Sequence, residues 1–165
     1  MLNSIIFRRH VLISVLSIVV VPNLIAAQGR ASGAAAKACA LLARQLVEKV
    51  SAASKKPVDA AGPRELPLGA SGTACEWGDL TVQVDPWPPA RLEAMRRSTG
   101  KEWEVIKGIG DAAYLHNVRD IMAELFVRVG SRTFAVLVNI PVGSTTAAFK
   151  PTILEVANDI VPRLR

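Results

Sequence analysis

Two stretches of the chain repeat apolar residues every three or four positions, the period of an amphipathic helix. The first predicts a helix from Ala35 to Ala53, with Cys39 near its start. The second predicts a C-terminal helix after the capping residues 144–146, and Pro151 must lie in its first turn or kink it. A helical stripe therefore lies at each end of the predicted domain.

Between these helices the apolar residues alternate with period two, as in strands. Residues 74–77 and 80–85 flank the turn Gly78-Asp79, and residues 121–129 and 132–140 flank Gly130-Ser131, so both pairs predict hairpins. Shorter strand patterns occupy 103–106 and 108–115, and Pro89 begins a short helix over Ala90–Thr99. The sequence predicts an α+β domain: an antiparallel sheet of about five to six strands with helices packed on it, in the order helix, hairpin, helix, meander, helix.

One long connection interrupts this pattern. From Pro57 to Thr73 the chain holds three prolines and three glycines and has no clear period. A structureless loop of this length is unusual in a compact domain. Either residues 57–60 form a short edge strand or the loop has a role of its own.

The N-terminal segment has the order of a secretory signal. Arg8 and Arg9 precede an apolar run from Val11 to Val21, and small residues follow, ending at Ala27. The run is shorter than the ~20 residues of a membrane-spanning helix. We therefore predict a signal peptide over 1–27 and export to the periplasm or outside the cell, with no transmembrane segment after cleavage; an uncleaved anchor is the alternative.

Cleavage after Ala27 leaves one domain. A Gly, Ala and Ser-rich leader would cover 28–36, and a single α+β domain would cover 37–165. The segment removed holds two arginines and no acid, so the net charge falls from +6 to +4. That modest charge, together with export, argues against nucleic acid as a partner.

The two cysteines, Cys39 and Cys75, make a disulfide the expected state of an exported chain. They are 36 residues apart, and the chain-entropy model assigns a loop of that length roughly 4 kcal/mol. There is no Cys-x-x-Cys pair of the kind that redox enzymes use. The bond is predicted to be structural.

The order of these features resembles that of small exported bacterial proteins, namely uncharacterised secreted lipoproteins and the extracellular sensor domains of bacterial receptor Ser/Thr kinases. The matching residues are Cys39, Cys75, Trp77, Gly108, Gly110, Asp111 and Ala113. The chain departs from the pattern in having no lipobox cysteine directly after the apolar run and no kinase or transmembrane segment. The resemblance implies the fold and the compartment, and a sensor-like or accessory role is a hypothesis that goes beyond it.

Enzyme chemistry has little support in the sequence. His116 is the single histidine outside the signal, and no nucleophile motif accompanies it. No metal-ligand spacing is present, so we predict no metal, no cofactor and no catalytic residues. Gly108-Ile109-Gly110-Asp111 lacks the rest of a phosphate-binding loop and is better explained as a tight turn in which Asp111 binds backbone amides.

A candidate partner site surrounds Trp87. Prolines on both sides hold this tryptophan in an extended conformation, and Arg91, Arg96 and Arg97 follow on the short helix. The leading hypothesis is a non-enzymatic envelope protein that uses this surface to bind an unknown protein or small ligand. The alternatives are an inhibitor or accessory factor of an envelope hydrolase that inserts a loop such as Pro57–Thr73 and, third, a hydrolase using Asp111 and His116.

Overall fold

The computed structural model describes residues 37–99 and 103–165. The predicted signal peptide (1–27) and leader (28–36) lie outside these residues. The helices are α1 (Ala38–Leu41), α2 (Arg44–Ser54), α3 (Pro89–Thr99) and α4 (Thr146–Leu164). The strands are β1 (Arg64–Leu68), β2 (Gly72–Trp77), β3 (Leu80–Val84), β4 (Trp103–Ile106), β5 (Ala112–Val118), β6 (Met122–Val129) and β7 (Arg132–Asn139).

The seven strands form one antiparallel sheet in the order β1-β2-β3-β7-β6-β5-β4. Both predicted hairpins are present, with β2 paired to β3 and β6 to β7. The long-range contact is β3 with β7, which joins the N-terminal and C-terminal halves of the sheet. The predicted α+β class and antiparallel sheet are confirmed, with one strand more than the upper expectation.

One face of the sheet, the inner face, carries α1, α2 and α4. Alternate residues of the central strands point into this layer, such as Phe134, Val136 and Val138 on β7, and all three are fully buried. The predicted stripe of α4 packs against them and is likewise buried. The period of each element, two for strands and close to four for the helix, therefore selects the residues of this core.

The predicted N-terminal helix is two helices rather than one. Leu42 and Ala43 have extended backbone angles and separate α1 from α2. The stripe that suggested one continuous helix is still buried at Leu42, Leu46 and Val50. The periodicity was real, but it continues across a break that lets α1 follow the sheet instead of the axis of α2.

The Cys39–Cys75 disulfide is present and joins α1 to β2, with a Cα–Cα distance of 4.8 Å. A second tie acts at the same place. The carboxylate of Glu65 on β1 accepts hydrogen bonds from the backbone amides of Ala38 and Cys39, both at 2.8 Å, and thereby satisfies free donors at the start of α1. The predicted disulfide is confirmed, and hydrogen bonds from the start of α1 to Glu65 on β1 and to Thr73 on β2 also hold this helix against the sheet.

The predicted loop Pro57–Thr73 is largely ordered structure. Residues 64–68 form β1 and pair with β2, and the turn 69–71 joins the two strands. The edge strand thus exists, but at 64–68 and not at 57–60. The sequence of β1 shows no apolar alternation, because an edge strand buries little of its surface. Pro67 is tolerated there because one side of an edge strand has no neighbouring strand that needs a backbone amide donor.

Helix α4 begins as predicted, since the Thr145 side chain accepts from Ala148 N at its N-terminus. Pro151 lies in the second turn instead of the first, and the helix continues through it as one element. The amide that proline lacks would have bonded the carbonyl of Ala147, which is exposed, so water can take its place.

Candidate partner-binding surface

The outer face of the sheet is covered by α3 over only part of its width. Beneath this helix lies a second, smaller core, separate from the inner one. Its buried members are Leu92, Trp103, Tyr114, Phe126 and Ala135. The strands β6 and β7 carry apolar residues on both faces, and this second core accounts for those on the outer face, such as Phe126 and Ala135.

Four aromatic rings follow one another across this face, and we call them the aromatic row. Trp87 stacks on Phe126 with centroids 4.9 Å apart, Phe126 meets Trp103 at 5.2 Å, and Trp103 stacks on His116 at 4.9 Å. The two middle rings are buried, whereas Trp87 and His116 are half-buried at the ends. The row therefore links the second core to solvent at two places.

The backbone around Trp87 is restrained by neighbouring residues. Before it, Asp85 adopts a positive φ of 50°, and its carboxylate accepts hydrogen bonds from Thr133 N (3.1 Å) and Arg132 Nη2 (2.7 Å). The Thr133 hydroxyl donates to the carbonyl of Trp87 itself at 2.5 Å. Because Pro86 and Pro88 also restrict the chain, little conformational entropy remains for Trp87 to lose on binding.

Arg91 extends the exposed end of the row. Its guanidinium carbon lies 5.8 Å from the centre of the Trp87 ring, within range of a cation–π contact. Arg91 and Arg97 are both exposed on the solvent side of α3, which also carries the exposed alanines Ala90 and Ala94. Neither arginine forms a hydrogen bond or ion pair with the described part of the chain, so their donors are available to a partner.

Arg96 takes a different position. Its guanidinium lies 5.2 Å above the Tyr114 ring and its Nε donates to Glu93, while the Tyr114 hydroxyl donates to the other oxygen of Glu93 at 2.7 Å. The hydrogen bond from Tyr114, followed by that from Arg96, lowers the pKa of Glu93, and burial with the Glu93 contact raises the pKa of Tyr114. Arg96 therefore serves to fix α3 on the sheet.

The structure thus brings together two of the four predicted partner-binding residues, Trp87 and Arg91. Arg97 lies on the same exposed side of α3, and Arg96 points to the sheet. Since Glu93 is the single acid of α3 and is already bonded, the solvent side of the helix presents two guanidinium groups and no carboxylate. We call Trp87, Arg91 and Arg97 the Trp87 surface.

Asp111 and His116 do not meet. Asp111 directly precedes β5 and His116 lies within it. The two residues are five positions apart, which corresponds to roughly 16 Å along a strand. The Asp111 carboxylate accepts from Gly130 N at 2.6 Å, the amide-binding role expected of it. His116 Nδ1 instead lies 3.0 Å from Glu124 Oε2 on the outer face. A hydrolase that combines Asp111 with His116 has no common site here.

Gly108 and Gly110 serve the turn, as predicted. Both have positive φ, 83° and 56°. A Cβ added to Gly110 would lie 2.7 Å from Val127 Cγ1 and would also collide with the carbonyl of Arg128, whereas the space around Gly108 is open. Gly110 thus permits the close approach at which Asp111 N donates to that same carbonyl.

Two cavities flank the loop before β1. They measure about 510 and 480 Å³ and share Asp59, Gly62 and Pro63 in their walls. The loop between them is fixed to the sheet, because Trp77 Nε1 donates to the carbonyl of Asp59 at 3.0 Å. If the protein acts as an inhibitor that inserts a loop into a hydrolase, only residues 57–63 remain as that loop, a shorter segment than the predicted Pro57–Thr73.

Sequence reasoning missed the residues that support Trp87. Phe126, Trp103 and Thr133 each belong to a different strand, and their meeting depends on the β4-β5-β6-β7 pairing. Phe126 had one visible signal, since it is a large apolar residue on the face opposite to Leu125 and Val127. Nothing local marks Thr133 as the donor to Trp87.

Within residues 37–99 and 103–165, no helix has the length and hydropathy to cross a membrane, and no three His, Cys, Asp or Glu side chains are grouped as metal ligands. Comparison of the chain with known protein families, curated proteins and solved structures finds no match. The resemblance to secreted lipoproteins and kinase sensor domains therefore stays a prediction.

Proposed function

We propose that the protein is an exported, non-enzymatic domain of the cell envelope that binds a protein or small ligand, in a sensor-like or accessory role. The observation that carries this proposal is the restrained, partly exposed position of Trp87 next to Arg91. This half-buried tryptophan is held in place by Phe126 on one side and by its own backbone contacts. Beside it lies the Arg91 guanidinium, which has no hydrogen bond or ion pair within residues 37–99 and 103–165. Rigid aromatic anchors next to arginine are enriched among residues that dominate binding energy.

The chemistry of the surface favours an anionic group on the partner. The Arg91 guanidinium lies over the indole of Trp87, and its planar fork of donors matches the two oxygens of a carboxylate or phosphate. On this side α3 carries Arg91 and Arg97 and no acid, so the helix itself contributes positive charge beside Trp87. The expected ligand presents an apolar or aromatic portion to Trp87 and an anionic group to Arg91.

The location rests on two independent features. The signal-like N-terminal segment predicts export, and the Cys39–Cys75 disulfide is compatible with an oxidising compartment. Expression of the full chain in a secreting host tests it directly. We expect intact-mass analysis of the exported protein to give an N-terminus near Gln28 and no thiol that labels without reductant. An N-terminus at Met1, or two labelled thiols, would contradict the export proposal.

The binding role is tested by quantitative capture from envelope extract. Four immobilised proteins are compared: the wild type, Trp87→Ala, Arg91→Gln and the control Arg44→Gln, whose exposed arginine belongs to α2 in the opposite layer. We expect one set of captured molecules to be lost with Trp87→Ala and Arg91→Gln and kept with Arg44→Gln. Loss of about 2 kcal/mol at Trp87, roughly thirtyfold in Kd, is typical of an interface anchor.

Folding must be checked in the same experiment, because Trp87 also packs on Phe126. Each variant is compared with the wild type by thermal unfolding, and binding is measured well below the midpoint. Equal capture by all four folded proteins would refute a role for the Trp87 surface. Binding through Arg91 should also weaken between low and physiological salt, because exposed charge pairs are screened.

A further inference from the structure

One arginine of the outer face, Arg128 on β6, is partly buried and unpaired. Its side chain lies on this face because it alternates with Val127 and Val129, which belong to the inner core. The Nε of Arg128 is buried without a hydrogen-bond partner, and its guanidinium forms no ion pair with residues 37–99 or 103–165. An unpaired charged donor that is shielded from water raises the free energy of the folded chain, so this position needs an explanation other than stability.

Three carboxylates lie near Arg128, and each is bonded to another group. Glu93 accepts a hydrogen bond from Tyr114, which lowers the pKa of Glu93, and the charge of Arg128 contributes to that shift. Asp85 accepts from a backbone amide of β7, and Asp111 accepts from an amide of the β6–β7 turn. Within the part of the chain that the structure describes, none of the three forms a hydrogen bond with the Arg128 guanidinium. The guanidinium therefore keeps donors that a group from outside the chain can use.

The strand register places Arg128 beside Trp87. Phe126, on which Trp87 stacks at 4.9 Å, precedes Arg128 by two residues on the same face of β6, a separation of about 7 Å. Thr133 lies directly opposite Arg128 on β7, and its hydroxyl donates to the carbonyl of Trp87. On the other side, Ala112 of β5 is the residue opposite Arg128. Both cross-strand neighbours are small, which leaves room at this position for a ligand group.

We propose that Arg128 is a further ligand-binding residue next to the Trp87 surface, and that this site takes a dianionic group, such as a phosphate monoester, joined to an aromatic or apolar portion. The inference rests on the proposed binding function. The apolar portion of the ligand lies on Trp87, and its anionic group is bound by Arg91 of α3 and Arg128 of β6. Two separate elements, a helix and a strand, therefore supply the positive charge.

The presence of two unpaired guanidinium groups favours a dianion over a carboxylate. One planar fork satisfies both oxygens of a carboxylate, so Arg91 alone would be sufficient for such a ligand. A phosphate monoester has three terminal oxygens and a charge of about −1.5 to −2 at pH 7, so it can accept hydrogen bonds from two guanidinium groups at once. Arg91 lies over the Trp87 ring and Arg128 follows Phe126 on the sheet below it, so both can reach a phosphate held next to the indole.

The unpaired state of Arg128 also separates a binding role from a structural one. An arginine that stabilises a fold has a partner in the free protein, as Arg132 has in Asp85 at 2.7 Å. Arg128 has none in the described part of the chain. Removing its charge should therefore weaken ligand binding without lowering stability, a combination that is typical of residues kept for function.

The test compares two small probes that share a benzene ring, phenyl phosphate and benzoate, by NMR titration of the exported, oxidised protein at pH 7.5. At this pH the phosphate ester is a dianion, whereas benzoate carries one charge. We expect the wild type to bind phenyl phosphate about tenfold more tightly than benzoate, and Arg128→Met to reduce that ratio to about two. Trp87→Ala should weaken both probes by a similar factor, because both present a ring to the indole. The control Arg44→Met, at an exposed arginine of α2, should leave both affinities unchanged.

A wild type that binds neither probe, or binds both equally, overturns the assignment of a dianionic ligand, and a ratio that is unchanged in Arg128→Met overturns the role of Arg128. In both cases the proposed binding function stands if capture from envelope extract still depends on Trp87. Probe binding that is indifferent to Trp87→Ala would instead overturn the Trp87 surface as the site. Thermal unfolding supplies a second measurement: Arg128→Met should not lower Tm, and a fall of more than about 2 °C would show that this arginine is held for stability.

Discussion

Removal of the Cys39–Cys75 bond is predicted to cost a large part of the stability of this domain. The bond closes a loop of 36 residues, for which the chain-entropy relation gives about 4 kcal/mol at 25 °C. Disulfides often contribute less than this relation gives, down to about 2 kcal/mol. Ala is the better replacement, because Cys75 is fully buried and a serine hydroxyl there would add the cost of an unpaired polar group.

The expected shift in Tm follows from the size of the domain. At about 2.1 cal/mol/K per residue, the described domain of roughly 130 residues has an unfolding entropy near 0.27 kcal/mol/K. A loss of about 2–4 kcal/mol therefore lowers Tm by about 7–15 °C. The fold should persist, because Glu65 and Thr73 still accept hydrogen bonds from the start of α1.

The assay is thermal unfolding by circular dichroism of Cys39→Ala, Cys75→Ala and the double variant. Each single change removes the same bond, so the double variant should lie close to the more destabilised single one and well short of the sum. Wild type unfolded in the presence of reductant supplies the matched comparison. Additive shifts, or a shift below about 2 °C, would show that the cysteines act separately and refute the reasoning.

Three further predictions test the turn, the attachment of α3 and the cap of α4. Gly110→Ala should lower the free energy of unfolding in urea by about 3 kcal/mol, because the new Cβ is strained in the left-handed conformation and collides with β6. Gly108→Ala has open space around it and should lower the free energy of unfolding by about 1 kcal/mol. Equal losses in the two variants would contradict the role of the contact with β6. Tyr114→Phe should cost about 1 kcal/mol and speed proteolysis within α3, because Glu93 loses its hydroxyl donor; unchanged proteolysis would place the attachment elsewhere. Hydrogen bonds from Thr146, the first residue of α4, lower the pKa of Asp120. The contribution of Asp120 to stability is therefore present above the ordinary aspartate pKa of about 4 and is lost as pH falls below it. The Tm gap between wild type and Asp120→Asn should close on acidification, and a gap independent of pH would refute the capping role of Asp120.

The residues at the surface of the candidate site could largely be predicted from local sequence, whereas the residues that pack beneath Trp87 could not. The Pro-Trp-Pro-Pro segment marked Trp87 as a restrained aromatic residue, and Arg91 was found by adjacency on the helix. The division of roles among the arginines could not be predicted. Arg91 and Arg96 are both cationic and five residues apart, and what separates them is the position of Tyr114, which comes from β5.

The sequence alone determined the elements whose apolar period repeats over several residues. Helix α4, the β2–β3 hairpin and the β6–β7 hairpin were recognisable because each buries a face along its whole length, and a buried face requires a regular pattern. The disulfide followed from composition and compartment, since the chain has one cysteine pair. Short-range physics was sufficient for these features.

Only the tertiary structure decided the features that depend on partners distant in sequence. The strand β1 has no apolar period because an edge strand buries little, so its existence rests on pairing with β2. The break at Leu42 has no breaker residue and arises where α1 is drawn to the sheet by Cys75 and Glu65. The aromatic row needs rings from β4, β5, β6 and the segment before α3, and their order is set by long-range strand pairing, a cooperative property that no local pattern contains.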